Sequence, residues 1–445
     1  MPRNCFEITS PIAEAIPQLA KVTGNISSLS SLIEALLSSE DEEISEIILP
    51  IIEEFKNDPS IDELISNLSS SKYDFVRVFC TKIILFSANN SLHLKFFQKF
   101  IADESFLVRF ALAQIIPKVE IQHAKVIAVE LSKDTHSRIR AYIPVACSKM
   151  EFFLTEILPT LVNDPDWSVR SSLATHLVEV TNHSEACDVA IKLINDSVWQ
   201  VKYCALKSLT TLLKEDTSFE FTQGAQVLSL LSKLIRSPQY PLKIAVIDNF
   251  FAIANRCKDI PIDQLQPFSD SLVSLEKSNI KLHFIEEVAK SGNREFAKLV
   301  SGNIDQIVNS LSKDDQWRVR LGIAQQLCPL SKLLSDTNCK PEFFDTCMKL
   351  TEDEAHPVRM AAIHNLVVAF LMDGPKIPEC ISQMSQINSF RRRQAALEIL
   401  SEMRKNTDNQ EFKDTLMESM KPFLQDSCRN VALLAKKLIE EAEAK

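Results

Sequence analysis

Few residues in this sequence have the types and spacing that catalysis or metal binding requires. His183 and Cys187 lie four positions apart and could share one face of a helix, where they would offer a nitrogen and a sulfur ligand to a metal ion. No second ligand pair lies nearby and the sequence has no His-Glu dipeptide, so ordinary helix residues are the better interpretation. Phosphate-binding glycine loops are missing as well, since neither G-x-x-x-x-G-K-S/T nor G-x-G-x-x-G occurs.

Four further histidines are isolated in the sequence and predict structural or solvated side chains: His123, His136, His283 and His364. We therefore expect a protein that is not an enzyme, with no catalytic residue, no metal site and no cofactor.

The composition predicts a large and almost entirely helical protein. Apolar residues make up 45% and charged residues 24%, whereas glycine occurs only 6 times, which argues against folds built on tight glycine turns. The net charge of −10 disfavours nucleic acid and anionic membranes as partners, and no apolar run approaches the roughly 20 residues of a spanning helix. The 11 scattered cysteines without a CxxC pair are typical of reduced thiols inside a cell, and we expect no signal peptide.

One pattern recurs along the chain: an Asp, four residues, a Val or Ile, and then an Arg or Lys. Clear copies begin at Asp103, Asp134, Asp164, Asp196, Asp314 and Asp353. With weaker copies included, the Val or Ile position falls at 44, 76, 108, 139, 169, 201, 242, 282, 319, 358, 392 and 431. These spacings of 30 to 41 residues are those of helix-pair repeats.

Each copy predicts a helix, a short turn and a second helix. Apolar residues recur with helical period on both sides of the Asp, as in Val319, Ile323, Leu327 and Leu330. The Asp could cap the second helix, and stacking would place the Asp of one turn beside the Arg of the next, so that these pairs set the register. The residues to which we assign this structural role are Asp103, Arg109, Asp134, Arg140, Asp164, Arg170, Asp196, Lys202, Asp314, Arg320, Asp353 and Arg359.

The turn position two residues before the Val is unusually aromatic. Six of eleven copies carry an aromatic residue there, where fewer than one would be expected at 7% aromatic content, and all three tryptophans are among them. Such a row is a candidate protein-binding surface, because Trp and Tyr dominate binding hot spots; the alternative is that each ring folds over the neighbouring turn. The aromatic residues are Phe106, Trp167, Trp199, Tyr240, Trp317 and Phe390.

The repeat resembles the HEAT repeat over nearly the whole chain. Asp, Val and Arg stand in the positions that HEAT repeats favour, and Pro159 matches their frequent proline in the first helix. The resemblance implies an all-α solenoid, a right-handed superhelix of about 11 to 12 repeats that binds other proteins. We divide this single solenoid into N-terminal repeats (1–165), middle repeats (166–300) and C-terminal repeats (301–445).

Several copies are similar to one HEAT family in particular, the scaffold (A) subunit of protein phosphatase type 2A. DDQWRVRLGIAQQLCPLSKLL, from Asp314, resembles its eleventh repeat, and PEFFDTCMKLTEDEAHPVRMAAIHNL, from Pro341, its twelfth. SFRRRQAALEILSEM, from Ser389, resembles the thirteenth and DWSVRSSLATHLVEV, from Asp166, the seventh. The chain has room for fewer repeats than that family, with the shortfall at the N-terminal end.

The resemblance implies that the C-terminal turns hold a phosphatase catalytic subunit. Trp317 and Arg318 match residues that contact it, and His356, Phe390 and Arg391 fall in the next two turns. Trp167 would face a regulatory B-type subunit, whose docking the missing repeats leave open. The chain would be a monomer on its own and part of a hetero-oligomer in the cytoplasm and the nucleus. The alternative is an importin-like transport receptor or another protein-binding adaptor.

Overall fold

The computed structural model describes residues 6–39, 42–256, 266–334, 339–373 and 389–443. All regular elements in these ranges are helical, which confirms the predicted all-α class. The chain divides into two compact units, Met1–Glu220 and Phe221–Lys445, here called the first and second unit. The division of the repeats near 165 and 300 stays a prediction. None of the described helices is long and apolar enough to cross a membrane.

The first unit contains thirteen described α-helices. A π-helical turn, Phe153–Ile157, leads into one of them, and four 3₁₀ turns connect others. The α-helices are α1 (Phe6–Thr23), α2 (Ser30–Leu37), α3 (Glu42–Glu53), α4 (Pro59–Leu68), α5 (Asp74–Ile83), α6 (Asn90–Ile101), α7 (Phe106–Ile115), α8 (Ile121–Leu131), α9 (Ser137–Cys147), α10 (Leu158–Leu161), α11 (Trp167–His176), α12 (His183–Ile194) and α13 (Trp199–Glu215). The 3₁₀ turns are Ile26–Leu29, Ile84–Phe86, Ile116–Lys118 and Leu177–Glu179.

The second unit continues the same alternation. Its helices are α14 (Gly224–Leu234), α15 (Tyr240–Arg256), α16 (Gln266–Val273), α17 (Ser278–Ser291), α18 (Arg294–Leu299), α19 (Ser301–Leu311), α20 (Trp317–Leu333), α21 (Cys339–Leu350), α22 (His356–Asp373), α23 (Phe390–Lys405), α24 (Gln410–Met420) and α25 (Arg429–Glu443), with a 3₁₀ turn at Lys421–Gln425.

These helices form the predicted pairs. Within each unit, the second helix of one pair packs beside the second helix of the next, for example α9 beside α11 and α20 beside α22. Twelve such second helices are described, which confirms the expected repeat number: α3, α5, α7, α9, α11, α13, α15, α17, α20, α22, α23 and α25. The segment that precedes α23 in its pair, 374–388, lies outside the described residues.

The hydrophobic core lies where the helical period of the sequence predicts it. Val319, Ile323, Leu327 and Leu330 of α20 are at most 2% exposed. One prediction of register is wrong: in the copy around Leu282, which has no Asp, Ile280 and not Leu282 is the fully buried residue. The second helix α17 therefore begins two residues earlier than expected, at Ser278.

A ring cluster joins the first helices of two neighbouring repeats in the first unit. The His123 ring of α8 lies 5.9 Å from the His93 ring of α6 and 5.4 Å from that of Phe97, measured between centroids. Burial lowers the pKa of His93, and the nearby His123 lowers it further, against smaller opposing effects that include the Ser87 carbonyl. His123 thus has ring contacts with another repeat that the sequence did not reveal.

This cluster predicts a loss of stability in mild acid. Because the folded state lowers the pKa of His93, the unfolded chain binds more protons, so stability is complete above about pH 6.5 and falls as the pH drops through that value. We expect the urea midpoint of the wild type to fall more between about pH 7.5 and about pH 5.5 than that of His93→Asn. If the urea midpoint falls equally in the wild type and in His93→Asn, His93 is not the cause of the acid sensitivity.

Candidate protein-binding surface

Arginine–aspartate ion pairs connect successive turns in each unit. In each pair the Arg follows the buried Val or its equivalent at the start of a second helix, and its Nε lies 2.6–2.7 Å from an Asp oxygen in the following repeat. We call this set the ladder. Its described pairs are Arg77–Asp103, Arg109–Asp134, Arg140–Asp164 and Arg170–Asp196 in the first unit, and Arg320–Asp353 and Arg393–Asp426 in the second.

Arg140 and Asp164 show the geometry of one pair. Arg140 Nε donates to Asp164 Oδ2 at 2.6 Å and Nη2 donates to Oδ1 at 2.8 Å, while Nη1 donates to the Asp134 carbonyl at 2.7 Å. The Asp164 side chain is only 4% exposed. Such bidentate, charge-assisted bonds fix both the distance and the orientation of two turns.

Two details differ from the sequence expectation. The pairs run from the Arg of one repeat to the Asp of the following one, the reverse of the expected order. The Asp also does not cap the second helix: Asp103 accepts from the backbone N–H of Ser105, and Ser105 in turn caps α7 through Leu107. The Asp therefore shapes the turn ahead of the helix, because its short side chain reaches the N–H two residues on.

Three residues assigned to stacking form no ladder pair with another described residue: Lys202, Asp314 and Arg359. Arg359 donates to the Asp353 carbonyl at 2.7 Å, and the next repeat's aspartate position falls outside the described residues. Asp314 accepts from Ser278 Oγ and from the backbone N–H of Gln316. After Lys202, the next repeat has Ser237 in place of the Asp.

The sequence analysis missed three ladder residues. Arg77, Arg393 and Asp426 occupy the same positions in the weaker copies. The Arg393 hydrogen bond holds the pKa of Asp426 below its ordinary value. Their spacing from the Val position was the signal that could have identified them.

In ten of the eleven copies the turn position is the first residue of a second helix, and in the remaining copy Ile280 lies two residues after the start of α17. We call these residues the ridge residues, and in the clear copies each stands three positions after the Asp and three before the Arg or Lys of its own repeat. Four aromatic members are well exposed: Trp167 at 46%, Tyr240 at 41%, Trp317 at 38% and Phe390 at 44%. His356 is also exposed, whereas Phe106 and Trp199 are half-buried.

The rings do not all behave alike. The Phe106 ring lies 4.1 Å from the His136 ring of the following turn, measured between centroids, so it covers its neighbour as the alternative interpretation proposed. Trp317 and Phe390 instead have the cations of the adjacent residues above them: Arg318 lies 4.9 Å and Arg391 6.0 Å from the ring centroids. The second unit thus presents two aromatic–arginine pairs, at the starts of α20 and α23, with the second helix α22 between them.

A groove runs beside Trp167 in the first unit. Its volume is about 670 Å³, and Arg140, Pro165, Arg170 and Val198 contribute to its walls. Because both arginines are held by their ladder partners, the groove keeps a fixed wall next to an exposed indole ring.

Further exposed apolar residues extend this surface and were missed by the sequence analysis. Leu107, next to Phe106, is 51% exposed, and one helical turn after the ridge Met360 is 39% and Leu433 is 54% exposed. Their positions one and four residues after the ridge residues were the signal. Exposed apolar residues near aromatic ones are typical of interaction surfaces.

The two residues considered for metal binding, His183 and Cys187, lie on the same helix but have different surroundings. His183 begins α12 and its Nδ1 lies 2.5 Å from Asp216 Oδ2, while Cys187 is buried on the same helix. Of the histidines expected to be isolated, His136 caps α9, His364 is exposed, and His283 contacts Asp248 at 2.8 Å. The contact of His283 with Asp248 on another helix is one that the sequence did not reveal.

Comparison with known proteins gives matches in structure alone. No family model and no curated protein sequence matches the chain. The karyopherin Kap121p, bound to the extreme C-terminus of the protein phosphatase Cdc14p, has a TM-score of 0.60 at 14% identity over 99% of this chain and 53% of its own. Kap95p with RanGDP has a TM-score of 0.59 at 12% identity, and the match covers 99% of this chain and 65% of Kap95p. Importin beta has a TM-score of 0.51 at 11% identity, and the match covers 94% of this chain and 63% of importin beta.

This chain therefore spans between about half and two thirds of the length of these transport proteins. At such low identity the likeness concerns the architecture of the chain, and it agrees with the helix pairs described above. The chain has the fold of a HEAT-repeat helical solenoid.

Proposed function

We propose that this chain is a non-catalytic scaffold that binds protein partners through its ridge residues. The observation that carries the proposal is the exposure of Trp167, Tyr240, Trp317 and Phe390, each 38–46% exposed at a fixed helix start. A large ring on a rigid element loses little conformational entropy when a partner covers it. The ladder supports this arrangement because it holds successive turns in register.

The first candidate partner is a protein phosphatase 2A-type catalytic subunit, held by the C-terminal repeats. The support is the similarity of the segments around Trp317, His356 and Phe390 to that scaffold family, together with the exposure of these three side chains. Arg318 and Arg391 would add charge-assisted contacts beside the rings. Trp167 and its groove would then face a second, regulatory partner.

The second candidate function is transport, and the fold comparisons favour it at least as well. The solved structures named above are karyopherins, and one of them, Kap95p, is in a complex with RanGDP. A small GTPase of the Ran type is therefore the partner that would identify a transport adaptor. Either function places the chain in the cytoplasm and the nucleus.

One binding experiment separates the two candidates. Purified full-length chain is titrated with a type 2A catalytic subunit and, in parallel, with Ran in its GTP-bound and GDP-bound forms. Binding of the phosphatase subunit alone supports the first candidate, and nucleotide-dependent binding of Ran supports the second. If neither protein binds, both specific assignments fail.

A further inference from the structure

Three potential metal ligands meet on neighbouring second helices of the second unit. His283 and Glu287 lie one turn apart on α17, and Asp248 faces them from α15. One ligand atom from each lies within 4.8 Å of the other two. Among the described residues this is the one group of three His, Cys, Asp or Glu side chains that meets this spacing.

The charges around His283 favour a cation. Its Nε2 lies 2.8 Å from Asp248 Oδ1 and its Nδ1 lies 4.0 Å from Glu286 Oε2, so carboxylates flank both ring nitrogens. A cation bound at either ring nitrogen would therefore lie beside a carboxylate. These side chains are only 19–32% exposed, so water screens the negative charge of the carboxylates incompletely.

One ammonium group offsets part of this negative charge. Lys290 Nζ lies 2.9 Å from Glu287 Oε1, and this hydrogen bond raises the pKa of Lys290. Its side chain is 64% exposed, so it can swing into solvent and release the Glu287 carboxylate. Without the Lys290 ammonium group, the carboxylates near the His283 imidazole are those of Asp248, Glu286 and Glu287.

We propose that Asp248, His283 and Glu287 bind a divalent metal ion of the Zn²⁺ type. One imidazole nitrogen and two carboxylate oxygens form a ligand set that zinc accepts, with water or Glu286 in the fourth position. Ligand atoms at about 2.0–2.2 Å from a tetrahedral ion are about 3.4 Å apart, so the 2.8 Å contact between His283 Nε2 and Asp248 Oδ1 would open by about 0.6 Å to admit the ion. The bound ion would join α15 to α17 and thereby connect neighbouring repeats.

The test is a calorimetric titration of the full chain with Zn²⁺ after chelator treatment and under reducing conditions. We expect one site per chain in the wild type. His283→Gln and Asp248→Asn should each weaken binding by about tenfold or more. His183→Gln is the matched control, because His183 pairs with Asp216 and does not belong to such a three-ligand group.

A cobalt spectrum adds a second measurement, because the cysteines could also bind zinc. Co²⁺ bound to Asp248, His283 and Glu287 should give d–d bands without thiolate-to-cobalt charge-transfer bands. Thiolate bands, or equal zinc affinity in the wild type and in His283→Gln, would overturn the proposal. Thermal unfolding of each variant without metal shows whether it is folded, and Glu287→Gln provides an independent variant if one of the others is not.

Discussion

Replacement of Arg140 by alanine is expected to lower the free energy of unfolding of the first unit by about 3 kcal/mol. The variant would leave the Asp164 carboxylate only 4% exposed and without its guanidinium partner. The one described hydrogen bond that remains to that carboxylate comes from the backbone N–H of Asp166 at 2.9 Å. A buried charge that loses its partner costs far more than a surface ion pair contributes, and urea unfolding measures the difference.

The matched control connects the same two repeats through an exposed pair. Lys125 Nζ lies 2.9 Å from Glu156 Oε1, with side chains 47% and 41% exposed. Lys125→Ala should therefore change stability by less than about 1 kcal/mol. The double variant Arg140→Met with Asp164→Leu should recover most of the loss, because no unpaired charge remains buried. If Arg140→Ala costs no more than Lys125→Ala, the ladder does not stabilise the repeat stack.

Replacement of Trp317 by alanine is expected to weaken binding of the protein partner by about 2 kcal/mol, or roughly 30-fold in the dissociation constant. The ring is 38% exposed, so the free protein should keep nearly all of its stability. The partner is whichever candidate binds the wild type, and titration calorimetry gives the dissociation constant.

Two variants of the same unit show whether the effect belongs to the ridge. Leu424 is 43% exposed on the 3₁₀ turn Lys421–Gln425 and is not a ridge residue, so Leu424→Ala should leave binding unchanged. Arg320 forms a ladder pair with Asp353, so Arg320→Ala should lower the melting temperature. An unchanged dissociation constant for Trp317→Ala would remove Trp317 from the binding surface.

The helix pairs and their number follow from the sequence because the apolar period and the Asp–Val–Arg spacing recur in every clear copy. The ridge was predictable for the same reason: it stands at a constant distance from the buried Val. The predicted register was wrong at Ile280. This copy has no Asp, and Ile280 and Leu282 are both apolar, so the spacing alone does not show which of them is buried. Local spacing is informative only where enough of the pattern survives.

Contacts between distant residues could not be predicted in this way. Asp248 and His283 are 35 positions apart, and neither stands in a recognisable motif, so their meeting depends on how α15 packs against α17. The contact between the Phe106 and His136 rings likewise depends on how the two rings are oriented. Pattern analysis identifies which residues share a position in the repeat, and packing decides which of those side chains remain exposed.

The central claim, that protein partners bind on the ridge, can be tested with the tryptophans themselves. The chain has three tryptophans, and Trp167, Trp199 and Trp317 are all ridge residues. The full chain is produced with 5-fluorotryptophan, and its fluorine resonances are recorded with and without an unlabelled partner. We expect the Trp317 resonance to shift and become protected from solvent when the partner binds, and to be absent in the Trp317→Ala variant that assigns it. A complex that forms while all three resonances keep their positions and solvent exposure would contradict the claim.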